Sequence, residues 1–213
     1  MLPTRKTLIH RTIPGAVLAL VVVFSASFAA AACSPGQMQE ATLQYQQAQT
    51  FLAAQQWDQA IATLQSAIGT CPEHVEATRG IGDAFMGKEM YAQAVPYYTK
   101  VIQLRGDNVE AGDFAKLGKA FAQQKMYKEA RAEYMKAEQL APDDCGVLFN
   151  LGVLHYASGF HPQSVEVLEH ALEVCPQIKE HVLKQLTKSC EQAAAQQKKN
   201  GNNERAAYYT ELS

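Results

Sequence analysis

The sequence lacks the short motifs by which most catalytic sites are recognised. It holds no GxSxG, no HExxH and no P-loop, and its serines, histidines and aspartates fall into no spaced catalytic pattern. No CxxC pair occurs among its five cysteines, so thioredoxin-like redox chemistry and zinc ribbons lack their signature. Charge is sparse: Asp, Glu, Lys and Arg make up 19% of the chain, no block of one sign occurs, and the formal net charge is −2. A phosphate backbone needs a basic surface, so nucleic acid is not the expected partner. No catalytic residue, cofactor site or metal site is expected from these absences. What is abundant is apolar mass, 47% of 213 residues, enough to bury one core of ordinary size.

The first 32 residues contain no acidic residue and differ from the rest. Arg5, Lys6 and Arg11 form a basic start, an apolar run follows over 16–24, and small residues close the segment. That is the layout of a secretory signal peptide. The apolar run is short for a membrane span of about 20 residues; the whole uncharged stretch 13–32 reaches that length, so an uncleaved anchor stays open. The ending AAAC, residues 30–33, resembles a bacterial lipobox, with Ala30 where leucine is usual. That resemblance implies cleavage before Cys33 and a diacylglycerol on its sulfur, with residues 33–40 as the lipid-anchored tether. Ser34, standing where an aspartate often signals inner-membrane retention, then implies the outer membrane. The same residues also fit ordinary cleavage at an alanine-x-alanine site. Without residues 1–32 the chain has 16 basic and 21 acidic residues, a formal net charge of −5.

Self-comparison gives the strongest signal. WDQAIATLQSAIGTCP (57–72), YAQAVPYYTKVIQLRG (91–106), YKEARAEYMKAEQLAP (127–142) and HPQSVEVLEHALEVCP (161–176) align without gaps. A small residue recurs at Ala60, Ala94, Ala130 and Ser164, a large one at Leu64, Tyr98, Tyr134 and Leu168, and another apolar one at Ala67, Val101, Ala137 and Ala171. Pro72, Pro142 and Pro176 close three of the segments, and Gly106 the other. A preceding stretch keeps the same register, with Ala48, Gly82, Gly118 and Gly152, then Phe51, Phe85, Phe121 and His155. Spacing of three and four predicts helices, and the prolines are expected to stop the second helix of each pair. Pro96 and Pro162 are expected in or near the first turn of a second helix, where amide protons have no intrahelical partner.

This pattern at a period of 34 residues resembles the tetratricopeptide repeat, TPR. Four repeats match, at 41–74, 75–108, 111–144 and 145–178, with two extra residues falling between Gly106 and Gly118. The resemblance implies an all-α solenoid of antiparallel helix pairs in which stacking builds one continuous core. Residues 179–213 are expected to form a degenerate fifth unit or capping helices. The glutamine-rich stretch 39–65 keeps its helical period and reads as solvated helix faces.

Three histidines and a cysteine crowd one segment, but the register separates them. His155 takes an aromatic packing slot, His161 lies at a turn, and His170 sits on the outer part of a second helix. Cys145 opens a first helix and Cys175 ends the antiparallel second helix of the same repeat. Those points meet at one end of the hairpin, which makes a Cys145–Cys175 disulfide geometrically possible. Four buried apolar thiols are the alternative.

The TPR resemblance implies a working surface on the concave face, lined by first helices. In this register it takes Tyr45, Gln46, Gln49, Arg79, Asp83, Met86, Lys116, Lys119, Gln123, Phe149, Asn150, Val153, Tyr156 and Lys184. Lys116, Lys119, Asn150 and Lys184 suggest an anion-binding floor; Phe149, Val153 and Tyr156 suggest a seat for an amphipathic helix. The family resemblance implies a non-catalytic scaffold for a protein or peptide partner. TPR lipoproteins of the bacterial envelope are known among pilotins and among outer-membrane assembly factors, so that class of role is the expectation.

Overall fold

A computed structural model describes residues 33–213; the signal peptide expected at 1–32 lies outside the described residues. Ten α-helices follow in order: α1 Pro35–Ala53, α2 Trp57–Thr70, α3 Val75–Gly87, α4 Tyr91–Arg105, α5 Ala111–Gln123, α6 Tyr127–Leu140, α7 Cys145–Ala157, α8 His161–Val174, α9 Lys179–Lys199 and α10 Asn203–Leu212. Each repeat is one helix pair: α1 with α2, α3 with α4, α5 with α6, α7 with α8. Each second helix then packs on the next first helix, and α9 with α10 closes the array against α8. Among the described residues no helix is long and apolar enough to cross a membrane.

The turn inside each repeat is built the same way four times. The chain passes through a left-handed residue at Gln55 (φ 57°), Glu89 (φ 59°), Lys125 (φ 61°) and Gly159 (φ 78°). The next amide then donates back to the carbonyl of Phe51, Phe85, Phe121 or His155 at 2.8–3.0 Å. That bond satisfies a carbonyl the helix end would leave unpaired. Only the fourth repeat uses glycine at the left-handed place. Between repeats, His74 and Asp144 cap α3 and α7: His74 Nδ1 accepts from Ala77 N at 3.1 Å and Asp144 Oδ1 from Val147 N at 2.9 Å. The two extra residues between the second and third repeats fall at a 3-10 turn, Gly106–Asn108, entered through Gly106 at φ 52°.

The core is a row of small-against-large contacts. An added Cβ on Gly82 would lie 2.7 Å from the Tyr98 ring, and one on Gly152 would lie 2.6 Å from Leu168. Gly118 meets the Ala130 carbonyl and Tyr134, both at 3.2 Å. The missing side chain on the first helix is what admits the large one on the second. Tyr134, Leu64 and Leu168 are fully buried, each side chain contributing about 1.5–3 kcal/mol. Ser164 fits the small slot of the fourth repeat because its hydroxyl donates to the Gly152 carbonyl at 2.7 Å and meets Ser189 Oγ of α9 at 2.8 Å.

Two expectations change. Residues 35–40 are the opening turns of α1 and no tether: Pro35 starts the helix, and Ser34 and Gln37 form a reciprocal capping box. Pro96 lies inside α4, beyond its first turn, whereas Pro162 does sit at the start of α8. Cys33, the residue expected to carry a lipid, is joined through its sulfur to Cys71. A second disulfide joins Cys145 to Cys175, leaving Cys190 free and buried.

Among the described residues no helix precedes α1. Leu43 is 54% exposed, while its register equivalents Ala77, Asp113 and Val147 are at most 2% exposed. Gln44, Gln47 and Thr50 share that outer face, which explains the glutamine-rich composition there. Replacing Gly152 with valine should destabilise the protein by about 2 kcal/mol through overpacking against Leu168. Gly112→Ala, whose Cβ meets nothing within 4 Å, should be neutral or stabilising by up to about 1 kcal/mol. Urea melts of the two variants test the contrast.

Candidate functional site

First helices touch across repeats: α1 meets α3, α5 meets α7, and α7 meets α9. They therefore form the tighter, inner side of the array, and the residues assigned to the groove by register share that side. The structure nevertheless divides those residues into two kinds, spent and available.

The N-terminal half is largely spent on itself. Tyr45 accepts a hydrogen bond from Gln49 Nε2 at 2.5 Å and its ring lies 5.6 Å from that of His74. Asp83 Oδ1 accepts from Tyr98 at 2.7 Å and from Lys116 at 2.6 Å. The Lys116 ammonium also sits 5.9 Å from the Tyr98 ring centroid. Burial, and then the charge and hydrogen bond of Asp83, push the Tyr98 phenol far above its ordinary range, so it stays a neutral donor. Lys116 was expected to belong to an anion-binding floor; its charge is neutralised by Asp83 in the neighbouring repeat. Arg79 is also engaged, its Nε 3.6 Å from Asp113 Oδ1.

Asp113 is the feature that register reading missed. It is 2% exposed at a slot that holds Ala77 and Val147 in the adjoining repeats. Its Oδ2 lies 3.2 Å from Arg105 Nε and accepts from the Glu110 amide at 3.2 Å. Arg105 also pairs with Glu110, whose carboxyl is held below its ordinary range first by that hydrogen bond. Arg79, Arg105, Glu110 and Asp113 thus brace the α4–α5 junction where the two extra residues enter. A carboxylate at an alanine or valine position was the signal available in the sequence.

The C-terminal half is open. A cavity of about 220 Å³ lies between α5 and α7, lined by Lys119, Ala122 and Gln123, by Asn150, Val153, Leu154 and Ala157, and by Tyr127 and Tyr134 of α6. Lys119 and Lys184 are exposed and take part in no ion pair among the described residues. Phe149 and Tyr156 are half-buried on the same helix as Val153. The structure brings Lys119, Asn150 and Val153 to one cavity and leaves Tyr45, Gln49, Arg79 and Asp83 outside it. Sequence register missed Tyr127 and Tyr134, because they lie on the second helix and reach the groove only through packing. A cavity this size falls below the roughly 300–1,000 Å³ usual for small-molecule sites and suits a single side chain of a larger partner.

The histidines of the fourth repeat are dispersed. His155 faces Phe160 edge-on with centroids 6.2 Å apart, His161 lies 5.3 Å from the Tyr156 ring, and His170 Nε2 is 3.2 Å from Asp143 Oδ1. Burial, with Arg131 nearby, lowers the His155 pKa; burial alone lowers that of His161. A larger cavity, about 590 Å³, lies between α8 and α10, where Glu166 and Glu169 face Arg205, Tyr208 and Tyr209. Burial first, then Glu173 and Glu166, raises the Glu169 pKa.

Comparison with known proteins places this geometry. The profile described as tetratricopeptide repeat matches residues 45–109, and that described as TPR repeat matches residues 118–159. Solved structures that resemble the fold include MamA, YrrB and the pilF protein. MamA from Desulfovibrio magneticus RS-1 is 20% identical, with 81% of this chain and 92% of that chain covered, at a TM-score of 0.65. YrrB, described as a TPR protein with an unusual peptide-binding site, is 18% identical, covering 79% and 82%, at 0.63. The pilF protein of Pseudomonas aeruginosa is 19% identical, covering 82% and 90%, at 0.60. A search of curated proteins finds no match.

Two outcomes follow from the charged and titratable groups. Asp113→Ala should cost roughly 3 kcal/mol in denaturant melts, since two arginines lose their buried counter-charge. His155 is held neutral in the folded state, so stability is complete above its unfolded pKa of about 6.5 and falls as acid protonates the unfolded chain. His155→Phe should therefore lose less stability than the wild type between about pH 7 and pH 5, read as the difference between paired melting curves.

Proposed function

Because the chain is a tetratricopeptide-repeat protein, we propose that it acts as an exported, non-catalytic scaffold that holds a segment of a partner protein in the groove of its third and fourth repeats. The observation that carries this reading is the cavity between α5 and α7, where an apolar wall of Val153, Leu154 and Ala157 stands beside the unpaired Lys119. An apolar side chain fills such a wall, and an acidic group beside it meets Lys119. The partner segment is therefore apolar with an acidic flank. Asn150 offers an amide at the same cavity, and Phe149 of the same helix packs against the cluster that includes Val182 and Leu186 of α9.

Export is supported by the basic, then apolar, then small-residue order of residues 1–32 and by two cysteine pairs, which persist in oxidising compartments. The setting proposed is the bacterial cell envelope, in the assembly of a multi-protein complex of the outer membrane or of a pilus or secretion system.

A photo-crosslinking residue at Val153 should trap a discrete partner in intact cells. The same residue at Met135, exposed on the second helix α6, should not. Adding Lys119→Glu should weaken capture about tenfold. Equal capture from both positions, or capture untouched by Lys119→Glu, would remove the groove from the proposal.

A further inference from the structure

The two disulfides share one end point in the repeat: Cys71 and Cys175 hold the same register slot, whereas the register equivalent of Cys145 is Ala41, eight residues beyond Cys33. Cys71 and Cys175 each follow the second helix of their repeat and precede Pro72 and Pro176. Each is fully buried and each is bonded back to the start of its own repeat's first helix, Cys33 before α1 and Cys145 at the head of α7. The same slot in the two middle repeats holds Arg105 and Ala141. The stapled repeats are thus the first and the fourth, the outermost of the matched array. Among the described residues the first repeat is packed on only by α3 beyond its own pair, and local opening starts where contacts are few, whereas the fourth is covered by α9.

Cys33 is also placed with little freedom. It sits one residue ahead of the N-cap Ser34 of a helix whose start is fixed by Pro35 and by the Ser34–Gln37 capping box. Its side chain packs against the cluster of Ala41, Leu64 and Ala77. A cysteine carrying acyl chains would have to leave that cluster and stand beside α1 with no tether. Cys71, fully buried, would be left without its bond.

From this placement we infer that Cys33 is the structural partner of Cys71 and not the bearer of a lipid, so that any removal of the leader is by ordinary cleavage upstream of Cys33. The bond forms by thiol–disulfide exchange with a disulfide-donating oxidoreductase of the export compartment. The Cys33 thiolate and an oxidant disulfide give a mixed disulfide, which the Cys71 thiolate resolves; two thiols are oxidised and the oxidant leaves as a dithiol. The remaining odd thiol is Cys190, whose pKa burial raises to about 11, keeping it unreactive. This inference depends on export and is independent of the groove.

The test is a thiol count on the processed full chain recovered from cells, denatured without reductant and treated with a maleimide mass tag. The wild type should take one tag, on Cys190; Cys33→Ser and Cys71→Ser should each take two, and peptide mapping should join Cys33 to Cys71. The count is made on unfolded chains, so a variant that folds poorly still reports. Two tags on the wild type, with labelled fatty acid incorporated at Cys33, would overturn the inference in favour of lipidation. Five tags would overturn it by leaving every cysteine reduced.

Discussion

The array depends on one steric fact: a first helix that lacks a side chain at one position lets a large side chain of the second helix reach its backbone. Gly82 takes Tyr98, Gly118 takes Tyr134, and Gly152 takes Leu168. This contact sets the approach of the two helices in the second, third and fourth pairs. Once set, the paired helices expose an apolar edge that only the next first helix can cover. The left-handed turn after each first helix then has a fixed job, which is to reverse the chain within a few residues. That job is constant enough that Gln55, Glu89 and Lys125 accept an unfavourable backbone conformation there.

Superposed on this apolar regularity is a small polar framework that differs between repeats. The first and fourth repeats use disulfides at the hairpin end, the second uses Arg105 against Glu110 and Asp113, and the third has Ala141 there. Where the period is broken by two residues, the ionic cluster around Asp113 replaces an apolar contact. Groove charge is governed by the same economy. Lys116 and Asp83 join neighbouring repeats and cancel, so the electrostatic character of the inner face falls to Lys119 and Lys184. Apolar Phe149, Val153 and Tyr156 lie between them in the register.

Much of the fold was legible in the sequence, and less of the site. The helix-pair architecture was legible because small, large and proline positions recur with a fixed local spacing. The lengthened α1 was not read, since a tether and a helix start differ only by the cap made by Ser34 and Gln37. Pro96 was misplaced by a fraction of a turn, because a proline inside a helix leaves no mark in the apolar period. The groove residues were found as positions on a face, but register says nothing about whether a side chain on that face is already occupied.

The sequence by itself determined the architecture: an all-α array of helix pairs, with the direction of each helix and the face it buries. Those properties are set by residues three, four and about 34 apart along the chain, and such spacings can be read without coordinates. Tertiary structure decided the chemistry left over. It paired Lys116 with Asp83 and brought Tyr127 and Tyr134 to the groove wall. It also joined Cys33 to Cys71 across 38 residues. Each of these depends on the distance between two side chains on different helices, a quantity fixed only when the helices pack.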